Sequence, residues 1–348
     1  MGKVGKAILN IVIVAVVFAL TVYYVFAGED LAELGRSIMA CDWRWLVPAC
    51  GLVIFFVWGE SYIIRQMLKQ FGYVRGRFGC FLVSAVGFFF CAVTPSASGG
   101  QPMQLYFMNK MKVPVSISTI ILMVVTMTYK MVLVIVQIGI LIFCRGLVEQ
   151  YLGGVLYIVY LGMLLNLIGI GGLVLFVFYP VSVRVIAGWT VKLLQKLKML
   201  KTADKIPQKV EKSLDRYHDA SDYLRANFKM IAQIQLFSFV QRFALFFVTC
   251  CVYWSLSLKG TPWMDILLLQ STISLSVDML PMPGGMGISE YLFEQIFQTI
   301  FGEHTLTGLV LSRGISFYVQ LFVCAAGTLA ACILIGIKKE NVKEQENS

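Results

Sequence analysis

Charge is scarce in this sequence: only 14% of its 348 residues are Asp, Glu, Lys or Arg, while 58% are hydrophobic. Soluble globular domains average about 25% charged and about 45–50% apolar residues. The composition therefore excludes an ordinary water-soluble enzyme. It predicts an all-α polytopic membrane protein whose helices cross a lipid bilayer.

The residues of metal, disulfide and nucleophilic chemistry are few or poorly spaced. Only two histidines occur, His218 and His304, and the nine cysteines include no CxxC pair. This pattern favours neither a zinc site nor a disulfide framework. Walker A and Ser/His/Asp signatures are also missing, so we expect no catalytic residues, no metal and no cofactor.

Apolar runs of about 20 residues, the length needed to cross a bilayer, recur along the chain. The first follows Lys3 and Lys6 and is longer than the apolar core of a signal peptide, so we interpret it as a retained helix. We expect about six full transmembrane helices, at 7–27, 44–64, 113–144, 152–180, 230–256 and 305–337.

Lys and Arg residues collect in alternate loops, as they do on the cytoplasmic side of membrane proteins. Four of the 29 lie in the opposite loops, and 22 lie in 1–6, 65–77, 108–112, 184–229 and 338–348. This asymmetry predicts a multi-pass protein of the cell membrane. Both termini, including the tail 338–348, are expected in the cytoplasm.

Two further apolar stretches, 78–107 and 265–304, are each broken by a segment rich in Gly and Pro. The charge pattern requires the first to begin and end inside and the second to begin and end outside. Irregular backbone at membrane depth survives only within protein or beside a wet cavity. We therefore predict two re-entrant helical hairpins, inner and outer, in an inverted-topology repeat within a single domain, 1–348. The alternative is two conventional antiparallel pairs with polar turns.

The tips of these hairpins are expected to present backbone N–H groups, which together with the helix dipole attract anions such as phosphate. Glycine permits the close backbone approach that such a site needs. The predicted loop residues are Pro95, Gly99, Gly100 and Pro102 in the first tip, and Pro281, Pro283, Gly284, Gly285 and Gly287 in the second.

Charged residues within or beside the spans indicate a polar path, because an isolated charge at mid-bilayer costs about 2.5–3.5 kcal/mol and needs a partner or water. In our hypothesis the basic residues neutralise a lipid phosphate, and the acidic residues meet a cationic group or balance the site. The alternative is a set of internal ion pairs, such as Arg313 with Asp278 or Glu290, with Glu290 serving only as a helix cap. The predicted substrate-binding residues are Lys130, Arg242, Arg313, Glu60, Asp278, Glu290, Ser98 and Gln101.

The longest polar segment, 184–229, carries 11 Lys and Arg residues against five acidic ones, and predicts two amphipathic helices. A basic amphipathic helix beside a membrane binds anionic headgroups of the inner leaflet. The alternative is a solvated cytoplasmic connector. Because no basic face interleaved with aromatics accompanies the charge, we expect no nucleic-acid partner.

The motif Pro281-x-Pro283-Gly284-Gly285-x-Gly287-x-x-Glu290, with the earlier Pro95-x-x-Ser98-Gly99-Gly100-Gln101-Pro102, resembles the membrane region of lysylphosphatidylglycerol synthases. This is the flippase-like region of the multiple peptide resistance factor, and the resemblance covers about residues 5–340. It implies translocation of aminoacylated phosphatidylglycerol or a related lipid between leaflets, which in the full-length factor contributes to resistance against cationic antimicrobial peptides.

Full-length members of that family continue into a cytosolic domain that takes lysine from charged tRNA, whereas this sequence stops at Ser348. Phosphatidylglycerol lysyltransferase is therefore the alternative function, and secondary transport of a small anion is a third. Membrane phospholipid is the expected partner. A homo-oligomer or a complex with a lipid-modifying enzyme is also compatible with the sequence.

Overall fold

A computed structural model of the chain describes residues 35–36, 38–94, 98–179, 183, 208–280, 285 and 287–346. Every secondary-structure element within these ranges is helical. The predicted span 7–27, the part 184–207 of the basic loop, and the loop residues Pro95, Pro281, Pro283 and Gly284 lie outside the described residues.

Among the described residues, five helical stretches are long and apolar enough to cross a membrane. Helix α1 is Trp43–Gln70, α4 is Val115–Phe143, α5 is Leu156–Phe178 and α7 is Phe228–Ser255. The fifth lies within the run Ile288–Leu334. These stretches coincide with the five predicted full-length spans that fall on described residues, so the prediction of an all-α polytopic membrane protein is confirmed.

Shorter helices form two pairs, each interrupted by one of the Gly/Pro segments. The first helix pair is α2, Arg77–Val93, with α3, Gly100–Lys110. The second helix pair is α8, Trp263–Val277, with α9, Ile288–Phe301. None reaches the roughly 20 residues of a complete span. That each pair enters and leaves the membrane by the same face stays a prediction.

The end of the chain is a broken helix. A 3₁₀ turn, Gly302–His304, leads from α9 into α10, Thr305–Arg313. A π-helical segment, Gly314–Val319, then precedes α11, Gln320–Glu346. Gly302 has φ 56°, a left-handed conformation that glycine adopts without a Cβ clash, and it ends α9.

Two hydrophobic cores lie at opposite ends of the bundle. One contains Leu46 and Val53 from the start of α1 together with the second helix pair, and the other contains Ile64 from the end of α1 together with the first pair. Helices α4 and α7 also contribute to both cores, with opposite ends. The two helix pairs therefore belong to opposite ends of the long helices, which is the arrangement expected of an inverted repeat.

Helix α6, Gln208–Ala226, is the second helix predicted for the basic loop. Its apolar side packs on the protein, because Tyr217, Ala220 and Leu224 are buried in the core of the first pair. The Ser221 hydroxyl donates to the Val177 carbonyl at 2.6 Å. Its apolar side is thus occupied mainly by α4, together with α5 and α7.

Candidate functional site

Lys130, in the middle of α4, is buried and pairs with Asp278, which directly follows α8. The ammonium group also donates to Asn166 Oδ1 at 3.3 Å. The helix that carries Lys130 holds no acidic residue of its own. The carboxylate comes instead from the second helix pair, 148 positions away, and the internal ion pair considered as the alternative exists for this lysine.

Asn166 fixes the geometry of this ion pair from α5. It is fully buried, and its amide donates to the carbonyls of Gly162 at 3.0 Å and Leu275 at 3.2 Å, which leaves its oxygen for Lys130. A Cβ on Gly162 would lie 2.6 Å from the Cα of Ser276. Glycine at this position therefore allows α5 to pack against α8, the contact that brings Asn166 to the site.

Arg242 lies over two aromatic rings rather than against a carboxylate. Its guanidinium carbon is 3.4 Å from the ring centroid of Tyr129 and 4.8 Å from that of Phe56. The Nε atom is buried without a hydrogen-bond partner in the described part of the chain. A buried donor of this kind is costly to leave unpaired.

Glu60 is an acidic residue that interacts electrostatically with Arg242. The described residues show no ion pair between the two within 4.0 Å. Gln104 on α3 donates to Glu60 Oε1 at 2.7 Å. The first helix pair thus orients this carboxylate.

The first tip contributes polar groups, and its glycines serve packing. Gln101 donates to Thr126 Oγ1 at 2.7 Å, and the N–H of Gly99 donates to Thr94 Oγ1 at 2.9 Å. A Cβ on Gly100 would lie 2.8 Å from the Gly87 carbonyl oxygen. We expected these glycines to present free N–H groups. For Gly99 that expectation is wrong, because the side chain of Thr94 already accepts its N–H.

The second tip needs glycine for its backbone conformation. Gly285 has φ 70° and Gly287 has φ 85°, values that L side chains rarely adopt. The N–H of Gly287 donates to Glu290 Oε2 at 2.6 Å, and Arg313 Nε donates to Glu290 Oε1 at 2.8 Å. Glu290 therefore caps α9 and pairs with Arg313 at the same time.

Two cavities meet in the centre of the protein. The first cavity, about 310 Å³, is lined by residues of the first helix pair and by Lys130. The second cavity, about 270 Å³, is lined by residues around the second tip and by Arg313. Five residues line both cavities and form what we call the shared wall: Phe88, Cys91, Tyr129, Arg242 and Asp278.

The structure brings most of the predicted site residues together. Glu60, Ser98, Gln101 and Lys130 line the first cavity, Arg313 lines the second, and Arg242 and Asp278 line both. Glu290 reaches the second cavity through Arg313. Pro102 is exposed at the start of α3. Of the described tip residues, Ser98 and Gln101 line the same cavity as Lys130, and Gly285 lines the same cavity as Arg313.

Several site residues were not predicted. Tyr129 and Asn166 are polar residues within apolar helices, Gln104 lies in the short and more polar α3, and Cys91 and Phe88 carry no sequence signal of their own. Asn166 was detectable in principle, because it is the single amide in α5, the most apolar of the candidate spans. Within the described residues, no group of three or more His, Cys, Asp or Glu could hold a metal ion.

Membrane-length helices surrounding a pair of charged internal cavities define a multi-pass integral membrane protein with a polar site between its helices. The chain belongs to the family described as the lysylphosphatidylglycerol synthase TM region, whose model matches residues 8–324. A search of curated protein sequences finds no match.

Proposed function

We propose that the protein moves phospholipid between the two leaflets of the cell membrane. The proposed substrate class is aminoacylated phosphatidylglycerol or a related anionic or zwitterionic lipid. The observation that carries this proposal is the shared wall. Each cavity is built around one helix pair, and a headgroup in either would meet Arg242 and Asp278.

The chemistry of the wall fits a phosphate. A guanidinium presents several N–H donors and forms strong, charge-assisted hydrogen bonds to phosphate oxygens. Arg242 lines both cavities, so its guanidinium is within reach of a phosphate that enters either one. Lys130 in the first cavity and Arg313 in the second are further cations on either side, each paired with a carboxylate that a phosphate would have to displace.

The same site offers a place for a cationic group. Glu60 lines the first cavity, where Gln104 holds one of its oxygens. An ammonium group next to Glu60, with its phosphate on Arg242, would match both charges. The family description names a lysylated lipid, whose headgroup carries a phosphate and ammonium groups.

The test uses the purified full chain in liposomes that contain acyl-labelled phosphatidylglycerol or acyl-labelled lysylphosphatidylglycerol. Chemical quenching of the outer-leaflet label reports how fast lipid crosses. We expect the protein to accelerate crossing of at least one lipid, and Arg242→Ala to slow it by about tenfold or more, the equivalent of one lost charge-assisted contact of roughly 1.5–3 kcal/mol. Arg216→Ala, which removes an exposed arginine from α6, is the matched control.

Three outcomes count against the proposal. Uptake of a water-soluble anion without lipid movement would favour a small-anion transporter. New lysylphosphatidylglycerol in an expression host that lacks this lipid would favour the lysyltransferase function. Equal lipid crossing in liposomes with and without the protein would refute translocation altogether.

A further inference from the structure

Asp278 has a special position in the site. Of the described acidic residues, it is the one that lines both cavities, and it does so while paired with Lys130, which lines only the first. A carboxylate that faces both cavities is able to exchange with either one. The lysine that neutralises it is open to a headgroup from the first cavity.

Polar side chains lead through the second cavity to Asp278. Gln270 and Ser274 lie two turns and one turn before it on α8, and all three line this cavity. Facing them are Ser312, Ser316 and Gln320, which also recur every four residues. Hydroxyl and amide groups that line a cavity provide the hydrogen bonds that hold water along a path. Such a path is able to deliver protons to the carboxylate.

The charges around Asp278 come from several helices, and all of them bear on its protonation. Lys130 and Tyr129 on α4 face it, and further charged groups lie on the neighbouring helices. Asn166 adds a neutral amide from α5. The titratable and charged groups that face Asp278 directly or across the two cavities are Lys130, Tyr129, Arg242, Cys91, Glu60 and Arg313 with its partner Glu290.

Charge balance then decides what happens when a phosphate enters. The ion pair of Lys130 and Asp278 is neutral, and a phosphate that binds Lys130 would leave the carboxylate buried and unpaired. An uncompensated buried charge is strongly unfavourable. One proton on Asp278 restores neutrality, because the phosphate then replaces the carboxylate as the partner of the ammonium group.

We propose that Asp278 takes up one proton each time a headgroup phosphate displaces it from Lys130, so that lipid and proton cross the membrane together. The proton comes from water in the cavity and binds a carboxylate oxygen, while Lys130 stays an ammonium ion. Release reverses both steps: the phosphate leaves, the proton returns to water, and the ion pair re-forms. This inference rests on the proposed function and supplies its energy source.

The coupling makes a quantitative prediction for liposomes. Protons move from the acidic to the alkaline side, and lipid that travels with them accumulates in the leaflet that faces the alkaline side. At one proton per lipid, each unit of pH difference supports about a tenfold difference in lipid between leaflets. Because this is an equilibrium ratio, it does not depend on which way the protein is inserted.

The first experiment measures the leaflet distribution of acyl-labelled phosphatidylglycerol at a pH difference of about one unit, with and without a protonophore. We expect severalfold enrichment on the alkaline side that the protonophore abolishes. If lipid crosses rapidly but stays evenly distributed under the gradient, the coupling is refuted and the proposed function survives. If no lipid crosses, the proposed function fails.

The second experiment does not depend on translocation. Short-chain phosphatidylglycerol is titrated into the detergent-solubilised protein in buffers of different ionisation enthalpy, which gives the number of protons bound with each lipid. We expect about one for the wild type, and about none for Asp278→Asn. Asp265→Asn, the same change at the far end of α8 and outside both cavities, should bind as many protons as the wild type. Lipid binding to the wild type without proton uptake would overturn the inference.

Discussion

The central guanidinium carbon of Arg242 lies 3.4 Å from the ring centroid of Tyr129, and both residues belong to the shared wall. A cation at this distance is attracted by the electrons of the ring face. The contact holds the arginine at the boundary of the two cavities without using up its hydrogen-bond donors. Tyr129 is therefore the residue that positions Arg242 for a phosphate from either side.

Replacing Tyr129 should reveal this positioning role. Tyr129→Leu removes the ring, and a cation–π contact contributes about 0.5–2 kcal/mol, so we expect lipid crossing to slow by roughly 2–30-fold. Tyr129→Phe keeps the ring and should lose less. The measurement is the liposome crossing assay. Equal loss in both variants would show that the hydroxyl, rather than the ring, is what matters.

Gly100 allows the two arms of the first helix pair to approach each other. A methyl group there would meet Cys91 and the carbonyl of Gly87, and overpacking of this kind costs about 1–3 kcal/mol. We expect Gly100→Ala to lower the thermal unfolding midpoint in detergent. Gly139→Ala, in α4, is the matched control because nothing lies within 4 Å of its added methyl. An unchanged midpoint for Gly100→Ala would contradict the packing role.

Sequence patterns were informative about the helices and about which residues are charged in the membrane. Hydropathy and length located the five described spans because a bilayer imposes both. The charged residues were recognisable because a buried charge in lipid is costly enough to need a reason. Because such charges need water or a partner, most of the predicted site residues line the two cavities.

The partner of Lys130 was not predictable, although the pairing of Arg313 with Glu290 was among the alternatives. Lys130 and Asp278 are 148 positions apart, and only the packing of α4, α5 and α8 makes them meet. The role of the glycines in the first tip was not predictable either. A local motif shows that a position has no side chain, but it does not show which neighbour requires this. The approach of Gly100 to Gly87 depends on two helices whose relative position is set by the whole bundle.

Glu290 and Arg313 should be energetically coupled. Arg313 Nε donates a hydrogen bond to Glu290 Oε1 at 2.8 Å, and Glu290 also accepts the N–H of Gly287. Removing either side chain therefore disturbs the second tip. In a double-mutant cycle of Glu290→Ala and Arg313→Ala, we expect a coupling of about 0.5–3 kcal/mol in the free energy of unfolding. The combination of Glu290→Ala with Arg216→Ala should be additive to within about 0.5 kcal/mol. Additivity in the first cycle as well would show that the ion pair contributes nothing.

The last prediction concerns α6 and alkaline pH. Burial raises the pKa of Tyr217 to about 12, and its hydroxyl donates to the carbonyl of Phe176 at 3.1 Å. In the unfolded chain the pKa of a tyrosine is about 10, so the folded protein holds this proton more tightly. The stability that results is fully present below about pH 10 and is lost as the pH rises from there toward 12.

Between pH 10 and pH 12 the wild type should lose up to roughly 1.4 kcal/mol of unfolding free energy per pH unit more than Tyr217→Phe, which has no proton to lose. Tyr157→Phe, which removes a hydroxyl from a side chain that is 66% exposed, should follow the wild-type profile. Unfolding free energies measured in detergent between about pH 9 and pH 12 decide the matter. Parallel profiles for the wild type and Tyr217→Phe would mean that α6 leaves the bundle before the rest of the protein unfolds.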